Sequence, residues 1–175
     1  MTKLDAKIIS QIELLKKGSD EAVLRELNTL RKDGSLPLIP VILERWKNST
    51  NETLNKSIFE FMVDIRLQEA LSEIIKAIRN PEFAERKNLL IAILWQSVLD
   101  PSEYLEDLIS IALNGDYMTI LEVSTVVESF DAVFNEQEVM DAIYQIDERL
   151  DEEQDEIQKN ILISLKKVVS QLPVD

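Results

Sequence analysis

One apolar motif returns along this chain at a nearly constant interval. It reads Pro-Val-Ile-Leu-Glu-Arg-Trp from Pro40, Glu-Ile-Ile-Lys-Ala-Ile-Arg from Glu73, Asp-Leu-Ile-Ser-Ile-Ala-Leu from Asp107 and Asp-Ala-Ile-Tyr-Gln-Ile-Asp from Asp141, at offsets of 33, 34 and 34 residues. A second motif keeps step with it. Lys87-Asn88-Leu89-Leu90-Ile91 matches Lys159-Asn160-Ile161-Leu162-Ile163, 72 residues later, and Lys56-Ser57-Ile58-Phe59 opens an earlier copy. Self-similarity at such a period marks a stacked unit of two helices. A single helix pair cannot bury its apolar stripe alone, so neighbours must stack to share one core.

Apolar residues at helical spacing predict ten helices, over 3–16, 20–32, 36–47, 52–65, 67–79, 82–98, 102–113, 116–131, 136–149 and 153–171. Their ends carry stop and start signals. Asp33-Gly34 suits a helix C-terminus, and Asn80-Pro81 and Asp100-Pro101 each place a cap before a proline at the first helical position. Asn135 with Glu138 has the spacing of a capping box. With only three glycines and five prolines, the chain has too few turn residues for a β-sandwich or an α/β fold of 175 residues. The expected fold is all-α, about five antiparallel helix pairs forming one solenoid domain over residues 1–175.

The residue inventory excludes whole classes of chemistry. No cysteine and no histidine is present, which removes disulfides, thiolate nucleophiles, Ser-His and Cys-His catalytic pairs and the usual zinc ligands. No window approaches the roughly 20 apolar residues of a membrane span. The start, Met1-Thr2-Lys3-Leu4-Asp5, lacks an apolar signal core, so a cytoplasmic location is expected. The sequon matches at Asn48, Asn51 and Asn55 then read as an inter-helix turn and its caps. The run Asp-Glu-Glu-Gln-Asp-Glu at 151–156 lacks the glycine and alternating spacing of a calcium loop. No cofactor, no dedicated metal site and no enzymatic activity are expected.

Leu36-Pro37-Leu38-Ile39-Pro40-Val41-Ile42-Leu43-Glu44-Arg45-Trp46-Lys47, followed by Asn51-Glu52-Thr53-Leu54-Asn55-Lys56-Ser57-Ile58-Phe59-Glu60-Phe61, resembles a HEAT repeat. Arg86 and Lys87 take the basic position of the next copy, whereas the fourth copy has no basic residue there. The resemblance covers 36–66 well, 70–99 less closely, and the rest by period alone. It implies a right-handed α-α superhelix that binds a protein or nucleic-acid partner along a concave face lined by the second helices. Within this scheme Trp95 is expected in the core. Trp46 is also read as packed, although its place between Arg45 and Lys47 leaves a contact role open.

Charge then divides the chain. Residues 1–87 hold 15 Lys/Arg and 14 Asp/Glu, whereas residues 88–175 hold 4 and 19, a net −15 within a total of −14. Between Asn88 and Glu148 there are 13 carboxylates and no lysine or arginine. A charge run is often only a solvated face, and Asp151, Glu152, Glu153, Asp155 and Glu156 are expected at the start of the last helix, where its dipole favours them. Carboxylates this dense also repel one another, and a basic partner would relieve that repulsion. On the predicted eighth helix Glu122, Thr125, Glu128 and Ser129 form a polar stripe opposite Ile120, Val123, Val127 and Phe130. With Asp116 and Asp131 at its ends, this stripe gives the candidate partner-binding residues Asp116, Glu122, Thr125, Glu128 and Asp131. Nucleic acid is disfavoured, because phosphates are held by Lys/Arg-rich surfaces and this acidic half has none. The expected role is a protein-interaction scaffold or adaptor. The alternative is an acidic inhibitor or immunity-type protein that neutralises a basic nucleic-acid-handling enzyme. The sequence leaves the oligomeric state open.

Overall fold

The computed structural model describes residues 3–30 and 35–175. Ten α-helices follow in order: α1 (Lys3–Lys17), α2 (Asp20–Leu30), α3 (Ile39–Asn48), α4 (Glu52–Val63), α5 (Ala70–Arg79), α6 (Lys87–Gln96), α7 (Leu105–Leu113), α8 (Tyr117–Glu128), α9 (Glu136–Glu152) and α10 (Glu156–Val169). No strand occurs among the described residues. One isolated bridge, Phe134 with Val174, ties the segment before α9 to the residues after α10. The expected C-terminal signal at Asp33-Gly34 lies outside the described residues.

Helices α4, α8, α9 and α10 each start where a side chain satisfies amides that the helix itself cannot. Asn51 accepts from the Leu54 amide at 3.1 Å, and Asp155 from those of Ile157 and Gln158 at 2.8 and 3.0 Å. Asn135 caps α9 through the Gln137 amide at 2.8 Å, one residue earlier than a capping box would place the bond. The helix expected from residue 82 opens differently. Asn80 accepts from the Glu82 amide at 3.0 Å, Pro81 follows, and Pro81–Arg86 coil as a 3-10 turn before α6 begins at Lys87. Phe83 of that turn is buried, so the tighter coil still contributes to the core.

The chain forms two compact units, Met1–Leu99 and Asp100–Asp175. In the first, α1 packs on α2, α3 on α4 and α5 on α6; α1, α3 and α5 then pack in series, as do α2, α4 and α6. In the second, α7 packs on α8 and α9 on α10, while α7 meets α9 and α8 meets α10. First helices stack on first helices and second on second within each unit, which is how sequence-repeated pairs share a core.

The core follows the apolar periodicity in the main, and the two tryptophans separate. Trp46 is fully buried, its ring centroid 6.2 Å from that of Phe59, whereas Trp95 is 39 % exposed. The expectation that Trp95 is core was therefore wrong. On α6 the five residues Leu90–Leu94 are all buried, and the face left open carries Leu89 and Gln96, seven residues apart. Trp95 stands beside that open face. An apolar helix offers little amphipathic contrast, so its pattern does not say which side faces out.

Three arginines tie successive pairs together. Arg45 of α3 donates to the Gly18 carbonyl just past α1 at 3.1 Å, Arg86 to the Ser49 carbonyl just past α3 at 2.8 Å, and Arg149 of α9 to the Leu113 carbonyl ending α7 at 3.4 Å. Each supplies a donor to a helix end whose last carbonyls lack intrahelical partners. The first is the most elaborate, because Asp20 accepts from Arg45 at 2.6 Å and from the Asn51 amide side chain at 2.8 Å. The Arg45 hydrogen bond, then that of Asn51, holds the Asp20 carboxyl below its ordinary value of 3.8. A carboxylate depressed in the folded state contributes stability above its unfolded value, and that contribution fades as pH falls through the folded one. The stability difference between the native chain and Asp20→Asn should therefore be constant above about pH 5 and shrink towards zero below the ordinary value. Denaturant titrations across pH 2.5–7 would read it; a gap independent of pH would remove Asp20 from this role.

Candidate functional site

The acidic second unit presents two distinct surfaces. On α8, Asp116 serves as the N-cap, accepting from the Thr119 amide at 2.8 Å. Thr125 donates its hydroxyl to the Leu121 carbonyl of its own helix at 3.1 Å. Glu122 and Thr125 are half-buried and Glu128, the last residue of α8, is exposed. Helix α8 ends three residues short of the expected boundary, so Asp131 lies exposed in the connection to α9 and off the stripe. Ile120, Val123 and Val127 are buried on the opposite side, as their spacing required, whereas Phe130 lies past the end of α8 and is only half-buried. The open face is not purely polar, however. Met118 and Leu121 are exposed among the carboxylates, and Tyr117 opens the helix beside them.

The other surface is formed by the first helices. A groove of about 240 Å³ between the start of α7 and α9 is lined by Glu103 and Glu106 on one wall and Glu138 and Asp141 on the other. Ser102, Leu105, Ala142 and Gln145 complete it. Local capping sets the geometry. Asp100 accepts from the Ser102 amide at 3.0 Å and starts the 3-10 turn Ser102–Tyr104 that leads into α7, while Asn135 starts α9. Leu105 and Ala142 are buried beneath the groove and hold the two walls together. Gln137 donates to Asp141 at 2.7 Å and steadies it. Glu106 and Glu138 lie in first turns, where the helix dipole favours negative charge. No lysine or arginine lines the groove. The sequence carried a signal for it, namely carboxylates three apart at 103/106 and again at 138/141 in a stretch without cations.

The acidic run near 151 is placed differently from expectation. Helix α9 continues to Glu152, so Asp151 and Glu152 fall in its last turn, at the negative end of the dipole, and only Asp155 and Glu156 open α10. Local cations offset part of this. Arg149 meets Glu153 at 2.6 Å, Lys166 meets Asp147 at 2.6 Å and Lys159 meets Glu156 at 3.6 Å. Glu153 accepts from the backbone amides of Asp155 and Gln154 and from Arg149, which together hold its carboxyl below the usual range. Three of the unit's four cations are thus engaged internally, against 19 carboxylates.

Among the described residues no three or more acidic side chains converge closely enough to hold a metal ion, so the carboxylates make an extended field rather than a cage. No helix among them is long and apolar enough to cross a membrane. Compared with protein-family models, curated proteins and solved structures, the chain matches none.

Proposed function

We propose that this chain is a non-enzymatic protein-interaction scaffold whose Asp100–Asp175 unit takes a partner with a basic surface. The observation that carries the reading is the groove between α7 and α9, which Glu103, Glu106, Glu138 and Asp141 line without a lysine or arginine. Ammonium and guanidinium groups entering it would form charge-assisted hydrogen bonds and relieve repulsion between the walls. The excess of carboxylates elsewhere in the unit extends the attraction and speeds encounter. The same proposal takes the stacking within each unit as HEAT-like, with a right-handed rotation from pair to pair; the packing of first on first and second on second helices supports it.

The test is affinity capture from host extract at low salt with the native chain and with Glu106→Lys/Asp141→Lys. A basic protein retained by the native chain should be lost from the variant. Equal recovery would remove the groove from recognition. A parallel Glu122→Lys/Glu128→Lys variant that alone loses the partner would move the contact to α8.

A further inference from the structure

The connection between α8 and α9 is tied down by the far end of the same unit. Phe134 donates its amide to the Pro173 carbonyl at 2.9 Å, and its own carbonyl accepts from the Asp175 amide at 3.2 Å. These are the two bonds of a parallel bridge centred on Val174. Both backbone groups of Phe134 are therefore satisfied by residues beyond α10. Phe134 is buried, its ring 5.6 Å from that of Phe130, and Leu172, which leads into the bridge, is buried as well. The chain reaches this place by a tight turn, in which Ser170, Gln171 and Leu172 donate back to the carbonyls of Lys166, Val168 and Val169. Pro173 then opens the bridge with a fixed φ that extended backbone tolerates and no N–H to satisfy.

Between Phe130 and Phe134 the connection has no regular structure, and Asp131 and Val133 are exposed, so the bridge is its main backbone anchor. The next residue is the cap of α9. Asn135 accepts from the Gln137 amide through its side chain, and its carbonyl accepts from the Glu138 and Val139 amides at 3.0 and 3.3 Å. A residue held by two backbone bonds just before the cap fixes where that first turn begins. The first two turns of α9 carry Glu138 and Asp141, one wall of the groove against α7.

We propose that Leu172–Asp175 form a strap that sets the start of α9, and with it the position of one wall of the acidic groove. The consequence for recognition rests on the proposed role of that groove; the hold on α9 does not.

Two variants loosen the strap by different means. Asp175→Pro deletes the N–H that bonds Phe134 and sets a ring against its carbonyl, whereas Pro173→Gly leaves both bonds possible and frees the backbone between them. Both positions are exposed, so the core is left intact. Hydrogen exchange followed by NMR on the full chain should show the Phe134, Glu138 and Val139 amides exchanging at least about tenfold faster in Asp175→Pro, and less so in Pro173→Gly, with the amides of α7 and α8 unchanged. Unchanged rates in Asp175→Pro would overturn the proposal. So would acceleration confined to Phe134, which would leave the start of α9 independent of the strap. Equal acceleration throughout α7 and α8 would overturn it too, by making these residues a general support of the unit. No ligand enters the measurement, so its failure is distinct from failure of the acidic groove.

Discussion

Trp46→Ala should lower the stability of the protein by about 3–5 kcal/mol, and Trp95→Ala by about 1 kcal/mol or less. Trp46 is fully enclosed, so truncation leaves a cavity that the surrounding helices close only in part. Trp95 is 39 % exposed, and its removal leaves a surface that water refills. Trp46→Phe should be milder than Trp46→Ala. It keeps most of the buried apolar volume and deletes an indole N–H that is buried without an acceptor. Denaturant midpoints would rank the three. Fluorescence provides a second reading: Trp46→Phe leaves only Trp95, which acrylamide should quench readily, and Trp95→Phe leaves a blue-shifted, protected Trp46. The reverse pattern would mean that α6 is turned the other way.

Raising sodium chloride from about 20 to 300 mM should stabilise the Asp100–Asp175 unit by on the order of 1–2 kcal/mol. Like charges at helical spacing each cost a few tenths of a kcal/mol, and the last two turns of α9 hold Asp147, Glu148, Asp151 and Glu152 at the wrong end of the dipole. Lys166 and Arg149 offset this only locally. Screening at 300 mM shortens the reach of the repulsion to a few ångströms and leaves the close ion pairs least affected. Thermal unfolding followed at both ionic strengths would show a rise in midpoint. A fall would mean that the ion pairs outweigh the repulsion.

The fold was legible where two signals coincided. Caps at Asn51, Asp116, Asn135 and Asp155 stand beside apolar stripes, and there the helices begin within a few residues of expectation. Pro81 misled because a proline at a first turn fits a 3-10 coil as well as an α-helix. The interaction surface was less legible. Periodicity identifies a polar stripe but not the neighbour that walls it. Glu103 and Glu138 are 35 residues apart in sequence and share a groove only because α7 packs on α9. Asp131 looked like a continuation of the α8 stripe because nothing in Ser129-Phe130-Asp131 announces a helix end. The burial of Phe134, bonded through its amide to the Pro173 carbonyl at 2.9 Å, is a long-range contact that no local pattern reveals.

The central claim is that the acidic unit recruits a basic protein partner through its carboxylates. Its most direct measurement is the affinity of the captured partner for the native chain across an ionic-strength series. Between about 50 and 300 mM salt the dissociation constant should rise at least about tenfold, chiefly through a slower association rate, and Glu106→Lys/Asp141→Lys should flatten the dependence. An affinity unchanged across that range, in the native chain and the variant alike, would contradict the claim and leave the carboxylates as a solvated face.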